Sequence, residues 1–480
     1  MTKRLNVVMI VADTFRRDHL GAYGNPSIRT PNLDRFAEGA VVFDHHRISS
    51  FPTMPARADF LTGRFSFTFM GWEPLPPQLD TLPAMLSRAG YLTMGVVDTP
   101  FFIRDGYGYD RGFDDFIWVR GQGDDTRPEE RADARALWRT ERDRLVARTM
   151  TAADSWLERH HREPFFLYVD TWDPHEPWDP PDYYVRLYRP DFKGPALYPA
   201  YAKWKDAGLT WEDVEIAHAA YCGKVTMVDR WFGMLLNKLE VLGIADNTVV
   251  VFTSDHGHYF GEHDYFGKAE WIHDPDAVLS DDAEVPHWFS KSWLLTIGWS
   301  PLYQELYRVP FIIRAPGLRP GRRDALTTAP DIPATILDLV GVDAAAQIQG
   351  RSVRAVLSGE VVEHRPFVVS SWPLYFAKGE LTSAVDSRKR RIASYMPVTV
   401  SNRRWSLIMG GPSEAPELYD LEADPSESRN VWKDHQAEGS ALFREAIDSL
   451  RSLNTAERFL KPREESLSRY APAAASPARE

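Results

Sequence analysis

Short apolar runs alternating with helix-spaced segments constrain this chain more than any other feature. The runs fall at 6–12 (NVVMIVA), 41–44, 91–97, 165–169, 248–253 and 309–314. Helical spacing fills the intervals at 30–39, 55–63, 80–89, 136–160, 212–242 and 330–341. Strands alternating with helices imply an α/β fold, a mostly parallel sheet covered by helices on both faces. Strands buried on both sides read as continuous Val/Ile runs, as these do. Ligand sites in such sheets lie beyond the carboxyl ends of the strands. The residues just after each run are therefore where chemistry is expected.

The texture changes near residue 366. FVVSSW, RIASYMPV and RRWSLIM read as short antiparallel strands, and a helix follows at about 435–453. This predicts a main α/β domain over 1–365, a smaller C-terminal α+β subdomain over 366–465 and a disordered tail over 466–480, rich in Ala, Pro and Ser. The first run has a brief likeness to a leader peptide. However, it is short, no small-residue cleavage site follows, and Asp13 comes next. No stretch reaches the ~18–20 apolar residues that span a bilayer. A cytoplasmic protein is expected. Its net charge of −12 argues against nucleic acid or an anionic membrane as partner. A single cysteine, Cys222, excludes an internal disulfide framework and any Cys-rich metal cluster.

Four polar groups follow the strand ends. Asp13 stands directly after 6–12, where it can cap a helix or hold a metal. In Thr53-Met54-Pro55-Ala56-Arg57, Pro55 suits a first helical turn. Thr53 then falls at the N-cap, with Arg57 one turn on. That grouping is either a plain cap or an oxygen nucleophile beside a guanidinium, suited to a tetrahedral oxyanion. Asp255-His256-Gly257 follows the most apolar run and offers one hard oxygen and one imidazole ligand, with Gly257 expected to permit a sharp turn. Lys268 comes shortly after. His175 lies between Pro174 and Pro177, in a segment that cannot be helical, and is either a surface histidine or a substrate contact.

Together these residues resemble the sulfatase branch of the alkaline phosphatase superfamily. The resemblance runs through TPNLDRFAEGAVVFDH at 30–45, the P-x-R…LTGR block at 55–64, DPHEPW at 173–178, TSDHG at 253–257, RVPFIIRAPG at 308–317 and ELYDLEADPSESRN at 417–430. It implies an alkaline phosphatase-like fold. It also implies one divalent metal per site on Asp13, Asp255, His256 and the Thr53 oxygen. Thr53 matches the nucleophile, Arg57 the residue orienting it, and His175 and Lys268 the residues holding the substrate anion and assisting the leaving group. With a histidine among the ligands, Mn²⁺ or Zn²⁺ is favoured over Ca²⁺ or Mg²⁺.

The departures are informative. Thr14 stands where most sulfatases have a second acid. VVDTPFF replaces their Gly-Lys-Trp-His block, so Asp98 and Thr99 occupy that substrate-binding region. Both features are closer to phosphonate monoester hydrolase and phosphodiesterase relatives. Sulfatases convert a Cys or Ser at the nucleophile position to formylglycine, and Thr cannot form that aldehyde. Ser50 imitates a serine-type start, but its register puts Met54 where Arg is required. A phosphorylated Thr can be cleared by a second in-line attack, whereas a sulfated Thr has no elimination route. The sequence thus predicts hydrolysis of a small anionic phosphoester or phosphonate ester. A sulfate ester hydrolase, a two-metal phosphodiesterase and a catalytically silent binding protein stand as alternatives. An aromatic insertion at about 269–300 is expected to be a lid or an oligomer contact, and a homo-oligomer is left open.

Overall fold

A computed structural model describes residues 4–99, 102–103, 106–119, 138–194, 201–269, 278–279, 300–374, 381–382, 396–410 and 415–471. The central sheet contains β1 (Asn6–Ala12), β2 (Val41–Arg47), β3 (Leu92–Val97), β4 (Asp115–Trp118), β5 (Phe165–Thr171), β6 (Thr248–Thr253), β7 (Phe311–Arg314) and β8 (Gly321–Thr328). Their order across the sheet is β8-β2-β7-β6-β1-β5-β3-β4. Every pairing is parallel except those of β7, which runs antiparallel to both β2 and β6.

The apolar runs become central strands because both faces are covered. On β1, Val8, Ile10 and Ala12 join one core, and Val7, Met9 and Val11 join the other. The first core is closed by α1 (Pro31–Glu38), α4 (Leu145–His160) and α5 (Trp211–Val241). The second is closed by α2 (Thr53–Thr62), α3 (Leu82–Arg88) and α6 (Asp331–Val340). Each fully buried Val, Ile or Phe contributes roughly 1.5–3 kcal/mol, so the alternating faces of β1 alone anchor the sheet.

A four-stranded antiparallel sheet forms the smaller unit: β9 (Val368–Ser371), β10 (Val398–Ser401), β11 (Trp405–Met409) and β12 (Glu417–Asp420). Two helices, α7 (Gln436–Ser452) and α8 (Glu457–Tyr470), cover it. The tail boundary expected at 466 lies inside α8. Leu460 is buried there, Arg463 donates to the Met396 carbonyl, and Ser466 donates to the Gly410 carbonyl at 2.9 Å. Those contacts tie the helix to the sheet as far as Ser466, and Leu467 and Tyr470 pack against the same core.

The smaller unit also reaches towards the nucleophile segment. Ser371 N donates to Ser49 O at 2.8 Å, and Phe51 N donates to Ser371 O at 2.9 Å. The 269–300 insertion lies almost wholly outside the described residues; 278–279 pair antiparallel with 381–382. No described helix is long and apolar enough to cross a membrane.

Candidate active site

Asp13, Asp98 and Asp255 each follow the carboxyl end of a parallel strand, and Asp170 and Thr171 end β5. Asp13 N donates to Thr171 O at 2.9 Å, so β1 and β5 together fix the first carboxylate. Asp13, Asp255 and His256 are fully buried, and one ligand atom from each lies within 4.8 Å of the others. Thr14 holds them in place from a left-handed backbone (φ 61°). Its hydroxyl donates to Asp13 Oδ1 at 2.6 Å and its N–H to Asp255 Oδ1 at 2.9 Å. The residue replacing an acid at position 14 thus orients both neighbouring acids.

His256 Nδ1 lies 2.9 Å from Gly257 O. Donation to that carbonyl places the proton on Nδ1 and leaves the Nε2 lone pair facing the cluster. Burial, opposed by Asp255, pushes the imidazole down to about 3, so it is neutral and able to ligate. Gly257 is not in the left-handed region. Its role is space, because a Cβ there would lie 1.8 Å from the Glu305 carbonyl oxygen.

Thr53 opens α2, and Pro52 occupies the N-cap without a side-chain capping bond. The Thr53 hydroxyl does not cap. It lies 3.4 Å from His256 Nε2. Ser50 is engaged elsewhere, donating to Asp59 Oδ1 at 2.9 Å and accepting from Phe67 N at 3.0 Å. Arg57 is fully buried behind Thr53 and donates to its carbonyl at 3.2 Å. The same guanidinium lies 3.0 Å from Asp13 Oδ2, contacts Asp255, and grips Asp170 through Nε at 3.0 Å and Nη2 at 2.8 Å. Tyr168 donates to Asp170 at 2.8 Å, and Thr99 donates to it as well.

Three carboxylates here face one arginine. Burial, followed by the charge of Asp255, pushes Asp13 well above the carboxylate range. Burial would raise Asp255 too, but His256 and Arg57 hold it well below that range. Beyond its ion pair with Arg57, Asp13 Oδ2 accepts no hydrogen bond. Two hard oxygens and one imidazole, buried within 4.8 Å of one another, fit a divalent cation, as the family implies.

On the other side stands the DPHEPW loop, clamped by Lys224 of α5, which donates to Asp173 and to the His175 carbonyl at 3.1 Å. His175 is buried, lies tilted against Trp172 with centroids 4.1 Å apart, and donates from Nδ1 to Glu176 O at 2.7 Å. Burial and then Lys268 hold its imidazole well below the ordinary value. Sequence reasoning missed Glu176. Its Oε2 lies 3.3 Å from His175 Nδ1, 3.7 Å from Lys268 Nζ and 4.0 Å from His258 Nε2. His258, also missed, is fully buried, and neither ring nitrogen has a hydrogen-bond partner. Its signal was one more histidine beside the DHG motif.

Thr99 joins the Arg57–Asp170 network, accepting from Arg57 Nη2 at 3.4 Å. The Asp98 carboxylate instead accepts from Thr149 at 2.7 Å, Thr171 at 3.1 Å and the Trp172 N–H. Burial, reinforced by Asp173, pushes it up to about 8. It secures the start of the DPHEPW loop.

The sheet order and a buried acid–acid–imidazole centre at its carboxyl edge define an alkaline phosphatase-like hydrolase class. The family model described as sulfatase matches residues 5–342, and a second, the C-terminal part of N-sulphoglucosamine sulphohydrolase, matches 288–453. The chain belongs to the sulfatase family. It is 24% identical to an N-acetylglucosamine-6-O-sulfatase of Bacteroides thetaiotaomicron, over 90% of this chain and 83% of that protein. Its fold superposes on the phosphonate monoester hydrolase of Agrobacterium radiobacter with a TM-score of 0.71, at 24% identity over 94% of this chain and 96% of the other. A protein solved with its substrate D-glucosamine-2-N,6-O-disulfate matches with a TM-score of 0.69, at 21% identity over 94% of this chain and 99% of the other.

Proposed function

We propose that this sulfatase-family enzyme hydrolyses a phosphoester or phosphonate ester, with Thr53 as nucleophile. The observation that carries the reading is the Thr53 hydroxyl, 3.4 Å from His256 Nε2, on a residue whose backbone carbonyl accepts from Arg57 at 3.2 Å. The free thiol, Cys222, lies on α5 outside this cluster, and Ser50 is spent on Asp59.

Asp13, Asp255 and His256, with the Thr53 oxygen, would hold a divalent ion, Mn²⁺ or Zn²⁺ by donor set. Such an ion supplies Lewis-acid polarisation of the ester oxyanion and lowers the pKa of the hydroxyl. Thr53 Oγ1 attacks phosphorus in line, forming the Oγ–P bond as the bond to the leaving oxygen breaks. Its proton passes to solvent. Arg57 fixes the nucleophile through its carbonyl, and Lys268 faces the non-bridging oxygens. The leaving alkoxide takes its proton from the buried Lys268–Glu176–His175 group. Water then cleaves the Oγ–P bond and restores threonine.

The sulfate-ester reading is favoured by the family match and by the named sulfatase relative. A parallel assay of nitrophenyl sulfate, phosphate, phosphodiester and phosphonate with Mn²⁺ and Zn²⁺ separates the two. Turnover of a phosphorus ester, lost in Thr53→Ala and after chelation, is expected. Turnover of the sulfate alone, or an active Thr53→Ala, overturns the proposal.

A further inference from the structure

We propose that His19, His218 and Cys222 form a second metal site, separate from the Asp13–Asp255–His256 centre, for a thiophilic divalent ion such as Zn²⁺. His218 and Cys222 stand four residues apart on one face of α5, and His19 comes from the turn after the Asp13 loop. The two Nε2 atoms lie 2.7 Å apart, Cys222 Sγ lies 3.6 Å from His218 Nε2, and one ligand atom from each residue falls within 4.8 Å of the others. Two imidazoles and a thiol converging on one point match the soft, borderline donor set that selects zinc over magnesium or calcium.

An independent observation points the same way. Asp18 Oδ1 lies 2.9 Å from His19 Nδ1. Arg16 holds Asp18 with Nε at 2.9 Å and Nη2 at 2.6 Å. The carboxylate fixes the His19 proton on Nδ1 and turns the Nε2 lone pair towards the other two donors, the arrangement that ordinarily orients metal-bound histidines. Binding runs as Zn²⁺ plus Cys222–SH giving zinc thiolate and one proton released to solvent.

A cavity of about 380 Å³ adjoins the three donors, lined also by Asn25, Tyr188, Arg189 and Glu215. It provides an entry path and room for a fourth ligand. Next to Cys222, Tyr221 accepts from Arg16 N at 2.9 Å and donates to Thr14 O at 2.8 Å. An ion here would brace the loop carrying Asp13 and Thr14 against α5.

The test uses the full chain, stripped of metal and titrated with Co²⁺ as a spectroscopic substitute for Zn²⁺. The catalytic ligands contain no sulfur, so a thiolate-to-cobalt charge-transfer band reports Cys222 alone. The band is expected in the unmutated protein and in Asp255→Asn, is displaced by Zn²⁺, and vanishes in Cys222→Ser. His218→Ala should weaken Co²⁺ binding at least about tenfold. Zn²⁺ should raise the thermal midpoint of Asp255→Asn but not of Asp255→Asn/Cys222→Ser. No band in the unmutated protein, a band that persists in Cys222→Ser, or equal midpoint shifts in the last pair would overturn the proposal, leaving an imidazole–imidazole hydrogen bond as the whole of the contact.

Discussion

A threonine opening a helix ordinarily spends its hydroxyl on a backbone N–H, and Thr53 does not. The segment before it is bonded to β9 and packed by Phe51 against Trp372, with centroids 4.4 Å apart, so the helix start is held without a cap. That leaves the hydroxyl facing His256. Glu176 matters for a different reason. Its buried carboxylate faces Lys268 and His175, and burial raises its pKa. Glu176→Gln keeps the shape and removes the charge, so steady-state kinetics should show kcat/KM falling about 10–100-fold, the usual loss for an orienting partner. An unchanged value would remove Glu176 from the site. Asp170 carries the firmest grip on buried Arg57. Asp170→Ala leaves that guanidinium to compete for Asp13 and Asp255. Urea unfolding should show a loss of about 3–5 kcal/mol, as for other broken buried pairs. Isothermal titration should show weaker divalent-ion binding. Unaltered stability and affinity would mean that Arg57 does not depend on Asp170.

At the level of elements, what could be read in the sequence follows burial. The strands at 6–12, 165–169 and 248–253 were legible because both their faces are covered. β8 was not, because its first residues, Gly321 to Asp324, are an exposed, polar sheet edge. β4 was missed for the same reason, being a short, half-exposed edge strand. β7 runs antiparallel to both its neighbours, and its composition carries no local mark of that direction. Asp13, Thr53, Asp255 and His256 were legible as strand-end or helix-start groups. Glu176 and His258 were not, because their roles depend on two loops meeting. Gly257 links these scales. The DHG turn packs on the segment before β7, with Gly257 N donating to Leu306 O at 2.9 Å. Gly257→Ala would push its Cβ into the Glu305 carbonyl, a backbone atom that cannot swing aside. Thermal unfolding should show a cost near the upper end of about 1–3 kcal/mol for overpacking. Turnover should fall about 100-fold or more as Asp255 and His256 shift. A stable, fully active Gly257→Ala would show that the turn is looser than its packing suggests.

In the whole molecule, charge fixes the end of the main domain, just before the chain enters the smaller unit. Asp331 opens α6 in the main domain, while His364 and Arg365 lie on the segment leading to β9. Arg365 donates to Asp331 through Nε at 2.8 Å and contacts its other oxygen through Nη2, and His364 Nε2 lies 3.2 Å away. The carboxylate also accepts from Thr328 N at 3.0 Å and Arg351 N at 2.8 Å. Burial would raise Asp331, but Arg365 and then His364 outweigh it and hold the group well below its ordinary value of 3.8. A depressed carboxylate binds fewer protons folded than unfolded. Its contribution to stability is therefore complete above the unfolded value and declines as pH falls from there towards the folded one. Arg365→Ala should cost about 3–5 kcal/mol at neutral pH, since it strands a buried charge. The gap between the two proteins in urea unfolding should begin to close as pH drops to about 3, where the unfolded carboxylate is already protonated. A gap that stays constant across that range would mean that Arg365 holds the end of the main domain by packing alone, and that the ionisation of Asp331 does not fix it.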